Sequence, residues 1–289
     1  MGMSLFFGLS GFLITRQLMH NDNVREFLIR RLARIIPLAF AYAFVVFILV
    51  TFDPERLFGT LTFLENYLVS YLNEYNSHFW SLCVEMHFYL FIALVVALMG
   101  KKGLWIVFPS CVLITMIRID AGATVNINTH FRVDEILAGA CVALLYPDGE
   151  SRLNSRLLTL GAILLWVASS SPFAGWLQYL RPYASAFLIF LMLKQAPSQL
   201  RTFLTSKPML YIAAISYALY VIHHGLLPGW WSEGSIYERY LFKRPLSFVI
   251  IFALAHLSTF YWEKYWLDSA KGWISKMRSV SQRPIQQPT

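Results

Sequence analysis

Charged side chains are scarce in this 289-residue sequence, and the scarcity argues against a soluble fold. Asp, Glu, Lys and Arg make up 14% of the residues and apolar residues 57%, whereas an ordinary soluble domain carries about a quarter charged residues. A surface facing water would need many more charges, so we expect lipid to cover most of the outside. The composition therefore predicts an all-α, polytopic membrane bundle.

Cysteine is equally scarce, and several common motifs are missing. The three cysteines lie inside apolar runs without a short pair spacing, at Cys83, Cys111 and Cys141. This pattern predicts neither a disulfide framework nor a zinc site. The sequence also contains no P-loop, dinucleotide fingerprint, nucleophile elbow or pair of metal ligands at helical spacing. We therefore expect no metal cofactor.

The net charge of +8 is not distributed as in a protein that binds nucleic acid. Its cations stand in short clusters between apolar runs, for example Arg30, Arg31 and Arg34. Clusters of this kind are typical of loops at one membrane face. We expect membrane lipid around the chain and no nucleic-acid partner.

Nine apolar runs are long enough to predict membrane helices if some are tilted or have buried polar ends. A tenth candidate, Leu57–Leu72, contains Glu65, Asn66 and Ser70, so it is predicted to be an interfacial or re-entrant helix. The nine predicted spans are Met3–Leu18, Ile35–Phe52, Phe79–Met99, Leu104–Ile119, Phe131–Tyr146, Leu157–Ser171, Pro182–Leu193, Met209–Leu227 and Leu246–Trp266.

Nine spans place successive loops on alternate sides, and the basic residues then divide unequally. Of the 24 lysines and arginines, 17 fall on one side and seven on the other. Lys and Arg accumulate on the cytoplasmic side, so the Arg25–Arg34 loop and the C-terminus are predicted to be cytoplasmic. The seven on the opposite side are Arg56, Arg118, Arg132, Arg181, Arg239, Lys243 and Arg244.

This orientation starts the chain outside the cytoplasm. The first residues, MGMSLFFGLSG, provide neither a basic leader nor a cleavage site. We therefore expect a preceding helix that runs the other way, with a true outside start as the alternative. Residues 1–278 are predicted to form one membrane domain, incomplete at its N-terminus, and residues 279–289 a disordered tail.

Two arginines stand out just before Pro37. Arg31 and Arg34 are three residues apart and share one helix face. Two guanidinium groups on one face suit a ligand that carries phosphate, through bidentate contacts. Simple anchoring by positive residues at the cytoplasmic face is the alternative.

A carboxylate interrupts the apolar segment HFWSLCVEMHFYLF. Helical spacing puts Ser81, Glu85 and Tyr89 on one stripe, with His78 one turn earlier, while His87 is expected only to pack. A carboxylate inside a membrane helix must face a partner or water. Glu85 is therefore either a site residue or a buried structural partner for a cation.

Two further polar groups occur in THFRVDEILAGA and ISYALYVIHH. In the first, His130, Arg132, Asp134 and Glu135 could line an opening for an acceptor substrate, or form a helix cap with surface ion pairs. In the second, helical spacing makes a polar stripe whose histidine is more often structural than catalytic. That stripe consists of Ser216, Tyr220 and His223.

Taken together, these segments resemble the acyltransferase 3 family of multi-pass membrane O-acyltransferases. The resemblance implies a ten-helix bundle that passes an acyl group, usually acetyl, from a cytoplasmic acyl-CoA to a hydroxyl of a carbohydrate or cell-envelope glycan. The matching segments run in family order between positions of about 4 and 266: SLFFGLSGFLITRQL, FLIRRLARIIPL, HFWSLCVEMHFYLF, THFRVDEILAGA, ISYALYVIH and LSTFYWEKYW.

The resemblance also implies roles for particular residues. Arg31 and Arg34 match the paired-arginine motif tied to acyl-CoA binding. Ser10 and Gly11, followed by Phe12, match the family's serine–glycine–phenylalanine motif, which we also assign to the donor. Glu85 falls in the tryptophan–serine–leucine–glutamate helix, where it would support catalysis.

One part of the family pattern has no counterpart. The family's first helix carries an arginine and the histidine regarded as catalytic, and this chain starts at what would be the second helix. We expect the chain alone to be nearly inactive unless His78, His130 or His223 substitutes. The candidates on the acceptor side are His78, Trp80, Tyr89, His130, Arg132, Asp134, Tyr220 and His223.

Two other functions remain open from the sequence. A transporter or flippase for a lipid-linked sugar would also need polar stripes in a helical bundle. A non-catalytic membrane remnant would keep the fold and lose the chemistry. The sequence does not predict the acceptor, the acyl length or the oligomeric state.

Overall fold

The computed structural model describes residues 2–146, 156–195 and 198–281. Within them every regular element is helical, and each of the nine predicted apolar runs overlaps a helix. The α-helices are α1 (Gly2–His20), α2 (Val24–Phe44), α3 (Pro54–Thr62), α4 (Trp80–Met99), α5 (Val107–Asp120), α6 (Thr129–Arg132), α7 (Asp134–Leu145), α8 (Arg156–Ser169), α9 (Arg181–Gln195), α10 (Ser198–Leu204), α11 (Lys207–Ile222), α12 (Arg244–Leu257) and α13 (Lys264–Ser281).

Several of these helices join into longer apolar stretches. Four stretches of the described chain are long and apolar enough to cross a membrane: Val24–Val50, Ser77–Asp120, Lys207–Leu226 and Glu238–Ser279. The all-α membrane fold class is thereby confirmed, while the number of nine crossings stays a prediction. The last helix reaches Ser281, which takes in the start of the predicted tail, and residues 282–289 lie outside the described part.

The prediction of one continuous helix over Leu57–Leu72 is wrong. The structure ends α3 at Thr62 and gives Phe63 a left-handed φ of 55°. The following Asn66 is fully buried and donates hydrogen bonds to the carbonyl of Ile127 (3.2 Å) and the hydroxyl of Thr129 (2.9 Å). These tertiary bonds draw the backbone away from the helical path.

The chain forms two compact units. The first comprises Met1–Val24, Phe63–Val69 and Phe79–Ser206. In it α7 packs against α1, α5 and α9, and apolar side chains such as Phe7, Ile14 and Ile136 are fully buried.

The second unit comprises Arg25–Thr62, Ser70–His78 and Lys207–Thr289. Here α11 packs against α12, and the Tyr217 hydroxyl donates to the backbone carbonyl of Ile35 on α2 (2.6 Å). One π-helical turn over Glu238–Lys243 precedes α12, and another over Ser258–Glu263 joins α12 to α13. Together they form a helical stretch of 42 residues from Glu238 to Ser279. Large aromatic side chains are exposed near its middle, namely Tyr261, Trp262, Tyr265 and Trp266.

Candidate active site

The buried carboxylate of Glu85 has a hydroxyl partner on another helix. Glu85 is only 5% exposed in the apolar helix α4, and the Ser10 hydroxyl on α1 donates a hydrogen bond to its Oε1. A buried carboxylate is costly without hydrogen bonds, so this contact offsets part of the cost. Ser81 and Tyr89, on the same stripe of α4, are also buried.

Gly11 lies where α1 and α7 approach most closely. A Cβ added to Gly11 would lie 1.9 Å from the carbonyl oxygen of Ile136, and one added to Gly139 would lie 1.9 Å from the carbonyl oxygen of Gly8. Only glycine allows this backbone contact. The structure therefore gives Gly11 a packing role, and its assignment to the acyl donor stays a prediction.

The charged residues of THFRVDEILAGA form a buried network rather than surface ion pairs. Arg118 at the end of α5 pairs with Asp134 at the start of α7, and Arg181 at the start of α9 pairs with Glu135 at 2.7 Å. Arg132 lies 3.5 Å from the same Glu135. All five residues are less than 9% exposed.

The sequence analysis missed two members of this network. Arg118 and Arg181 were counted only as loop cations of the side with fewer charges. Each stands at the end of an apolar helix, in ITMIRID and just before Pro182, and a charge in that position needs a partner. That signal could have identified both.

A second polar cluster surrounds the short helix α6. The Thr129 hydroxyl lies 2.6 Å from Nδ1 of His87, and the Tyr67 hydroxyl lies 3.1 Å from Nδ1 of His130. The rings of Tyr67 and His130 are stacked with their centroids 5.6 Å apart. His87, expected only to pack, therefore belongs to a polar group. The helical period predicts which face of α4 carries His87, but it does not predict that Thr129 lies against that face.

Trp80 connects the predicted acceptor-side residues of α4 and α6. Its ring lies 5.4 Å from the guanidinium carbon of Arg132 and makes an edge contact with Phe7. An arginine over a tryptophan face is held by a cation–π interaction. The structure thus brings Trp80 and Arg132 together, and their role on the acceptor side stays a prediction.

Three other acceptor-side candidates, His78, Tyr220 and His223, meet in the second unit. The Tyr220 hydroxyl donates to the backbone carbonyl of His78, whose ring centroid lies 5.0 Å from that of His223. The neighbouring His224, which was not singled out, stacks on His78 at 4.2 Å. The described residues contain no group of three or more His, Cys, Asp or Glu arranged to hold a metal ion.

The arginines of α2 differ in their contacts. The buried Glu26 pairs with Arg278 of α13 through two bonds of 2.6 and 2.5 Å and lies 3.8 Å from Arg30. Arg34 is exposed and interacts electrostatically with the buried Glu263. The guanidinium of Arg31 lies 5.9 Å from the Phe27 ring.

Four apolar stretches long enough to cross a membrane, with buried polar residues among their helices, define the class as a helical membrane protein. A family model described as "Acyltransferase domain" (acyltransferase 3) matches residues 1–261. The chain belongs to this acyltransferase family, which confirms the resemblance of its motifs.

Curated relatives agree with this family. The chain is similar to "O-acetyltransferase OatA" of Staphylococcus aureus (strain NCTC 8325 / PS 47), with 26% identity covering 78% of this chain and 46% of the relative. It is also similar to "Putative peptidoglycan O-acetyltransferase YrhL" of Bacillus subtilis (strain 168), with 24% identity covering 91% of this chain and 50% of the relative. The chain spans about half the length of these relatives. No solved structure matches it significantly.

Proposed function

We propose that this chain is the membrane domain of an O-acetyltransferase. It would transfer an acetyl group from cytoplasmic acetyl-CoA to a hydroxyl of a carbohydrate or cell-envelope glycan. Membership of the acyltransferase family supports the reaction class. The names of two relatives, one of them a putative peptidoglycan O-acetyltransferase, support acetyl as the group and a glycan as the acceptor.

The observation that carries this proposal is the Ser10–Glu85 hydrogen bond within an apolar interior. In the reaction the acceptor oxygen attacks the carbonyl carbon of the thioester, the carbon–sulfur bond breaks, and the CoA thiol leaves. A negative carboxylate held in place by Ser10 would orient the reacting groups in that interior. Glu85 is thus proposed as a supporting residue.

A base must also remove the proton from the acceptor hydroxyl. Histidine suits this step because its imidazole exchanges a proton near neutral pH. In this chain we keep His78, His130 and His223 as candidates. His78 and His223 lie in the histidine cluster with Tyr220, and His130 is exposed beside Tyr67.

For the donor we propose Arg31 and Arg34. Both lie in the unbroken helix α2, so their three-residue spacing puts them on one face. Arg30 differs from them because it lies near the carboxylate of Glu26, whereas no salt bridge to Arg34 occurs among the described residues. An exposed guanidinium that is not held in a salt bridge is suited to a phosphate of CoA.

The proposed orientation puts the Arg25–Arg34 stretch and the C-terminus in the cytoplasm, with the protein in a bacterial inner membrane. It is supported by the unequal division of basic residues between the two sides.

The test measures acetyl-CoA binding and acetyl transfer by the protein in lipid nanodiscs. The double variant Arg31→Ala/Arg34→Ala should bind acetyl-CoA at least about tenfold more weakly, since one charge-assisted hydrogen bond contributes about 1.5–3 kcal/mol. Arg30→Ala is the matched control, because it removes a cation from the same turn. Equal binding by wild type and double variant would refute the donor assignment.

Transfer of label from [acetyl-¹⁴C]acetyl-CoA to a glycan separates this function from sugar translocation. For this comparison the protein is placed in sealed vesicles, where a flippase would move a lipid-linked sugar across the bilayer without acetylating it.

A further inference from the structure

The buried network at the start of α7 contains more positive than negative groups. Arg118, Arg132 and Arg181 face only two carboxylates, those of Asp134 and Glu135. Arg118 is matched by Asp134, so the other two guanidinium groups share Glu135. Among these five residues the positive charges therefore exceed the negative charges by one. A buried charge of this kind is costly unless an anion joins it.

Four atoms of the same network also lack hydrogen-bond partners in the described chain. Nε of Arg132 and Nη2 of Arg181 are buried donors without an acceptor, and Oδ1 of Asp134 and Oε2 of Glu135 are buried acceptors without a donor. Each of these four residues, taken as a whole, is more than nine-tenths buried. Buried polar atoms are rarely left unpaired in folded proteins. A polar ligand would provide hydrogen-bond partners for these four atoms.

The unpaired atoms specify the chemistry of that ligand. Two guanidinium donors and a spare positive charge suit a carboxylate or a phosphate. The two unpaired carboxylate oxygens need hydroxyl or amide donors, which a phosphate group does not provide. A sugar that carries both hydroxyls and a carboxylate satisfies both requirements. The Trp80 ring under Arg132 adds an apolar face beside it.

We propose that Arg132 and Arg181 bind the carboxylate of a sugar acid, while Asp134 and Glu135 accept hydrogen bonds from its hydroxyl groups. This inference rests on the proposed function, because the sugar acid would be part of the acceptor glycan. It makes the acceptor an acidic glycan and gives Arg132 a binding role, not only a structural one.

The first experiment compares two probes on the wild-type protein in nanodiscs. One is a peptidoglycan disaccharide whose muramic acid carries a free carboxylate, and the other is the methyl ester of the same disaccharide. We expect the free acid to bind at least tenfold more tightly, because the ester removes the negative charge and keeps the hydroxyls. Equal binding of acid and ester would overturn the inference.

Two variants test whether Arg132 and Arg181 cause the preference for the free acid over the ester. In Arg132→Gln the preference for the acid should fall below about twofold, and Arg181→Gln should lower it as well. Lys102→Gln, which removes an exposed cation, is the control and should keep the full preference. If Arg132→Gln retains the tenfold preference, the assignment to the network is wrong.

Folding is monitored by thermal melting of each variant. Loss of Arg132 leaves two cations and two carboxylates, so the apparent melting temperature without ligand should change little. A purely structural arginine would instead lower it strongly. If both glutamine variants fail to fold, the wild-type comparison of acid and ester still decides the ligand class.

Two further readouts separate the alternatives. A polyprenyl phosphate in vesicles that competes with the disaccharide acid, combined with no acid preference over the ester, would favour a phosphate and overturn the sugar-acid assignment. Acetyl transfer is assayed separately. Transfer without an acid preference refutes this inference alone, and an acid preference without transfer refutes the proposed function alone.

Discussion

The hydroxyl of Ser10 donates a hydrogen bond to the carboxylate of Glu85, 75 positions later in the chain. This hydrogen bond joins two of the motifs that the resemblance to the family singles out, the serine–glycine–phenylalanine motif and the tryptophan–serine–leucine–glutamate helix. It also shows that the serine of the serine–glycine–phenylalanine motif contacts a buried carboxylate inside the first unit. Its neighbour Gly11 makes the close backbone contact between α1 and α7.

Removing either partner should have different consequences. Ser10→Ala leaves a buried carboxylate oxygen without this donor and should destabilise the protein by about 1–3 kcal/mol. Glu85→Gln keeps an oxygen that can accept from Ser10 but loses the charge, so stability should change by less than about 1 kcal/mol while acetyl transfer falls. Thermal melting and the transfer assay measure the two effects.

The control for this pair is Ser216→Ala, because Ser216 is exposed and bonds only within its own helix to Ala213. Full acetyl transfer by Glu85→Gln would remove Glu85 from the chemistry.

The close packing of α1 on α7 predicts a steric effect. Gly11→Ala places a methyl group 1.9 Å from the carbonyl oxygen of Ile136, and relieving that overlap should cost about 1–3 kcal/mol or more. Gly161→Ala is the matched control, since a Cβ at Gly161 in α8 meets nothing within 4 Å and alanine is the better helix former by about 1 kcal/mol. Equal melting temperatures for the two variants would contradict this packing.

The Arg118–Asp134 pair predicts strong coupling between two buried charges. Arg118→Leu removes the direct partner of the buried Asp134, and Asp134→Leu removes the direct partner of the buried Arg118. Breaking the pair from either side should destabilise the protein by about 3–5 kcal/mol. The double variant removes both charges and should lose much less than the sum of the two. A double-mutant cycle by chemical denaturation gives the coupling. Additive losses would mean that the two side chains do not interact.

The bidentate contact between Glu26 and Arg278 predicts that charge controls the position of α13 against α2. Arg278→Glu should separate the two helices by repulsion, and the exchange Glu26→Arg/Arg278→Glu should restore their contact. Spin labels at Arg25→Cys and Lys276→Cys, both exposed, report the distance by pulsed electron paramagnetic resonance. An unchanged distance in Arg278→Glu would show that other contacts hold α13 in place.

Much of the fold was predictable because the hydropathy of a membrane helix is visible in local sequence. Each predicted apolar run overlaps a helix of the structure, and the predicted stripe that carries Glu85 lies on α4. The break at Phe63 was not predictable in this way. It depends on Asn66 bonding to residues 61 and 63 positions away.

The partners within the site were harder to predict for the same reason. Arg181 and Glu135 are 46 positions apart, and only the packing of α7 on α9 brings them together. The sequence indicated that charges at helix ends need partners, but not which ones. The histidine cluster was anticipated in part: His78 and Tyr220 were singled out and do meet, while His224 was missed.

The length of the helical stretch Glu238–Ser279 bears on the position of Arg31 and Arg34 relative to the lipid. Its 42 residues extend about 63 Å at a rise of about 1.5 Å per residue, roughly twice the thickness of the hydrocarbon layer, about 30 Å. Tyrosine and tryptophan usually lie at the level of the lipid headgroups, so we expect the exposed aromatic residues between positions 261 and 266 at that depth. Arg34 interacts with Glu263 at that depth, and Glu26 with Arg278 farther along. The beginning of α2 would therefore rise out of the lipid beside α13, so a water-soluble, multiply charged donor could reach the guanidinium pair without leaving the aqueous phase.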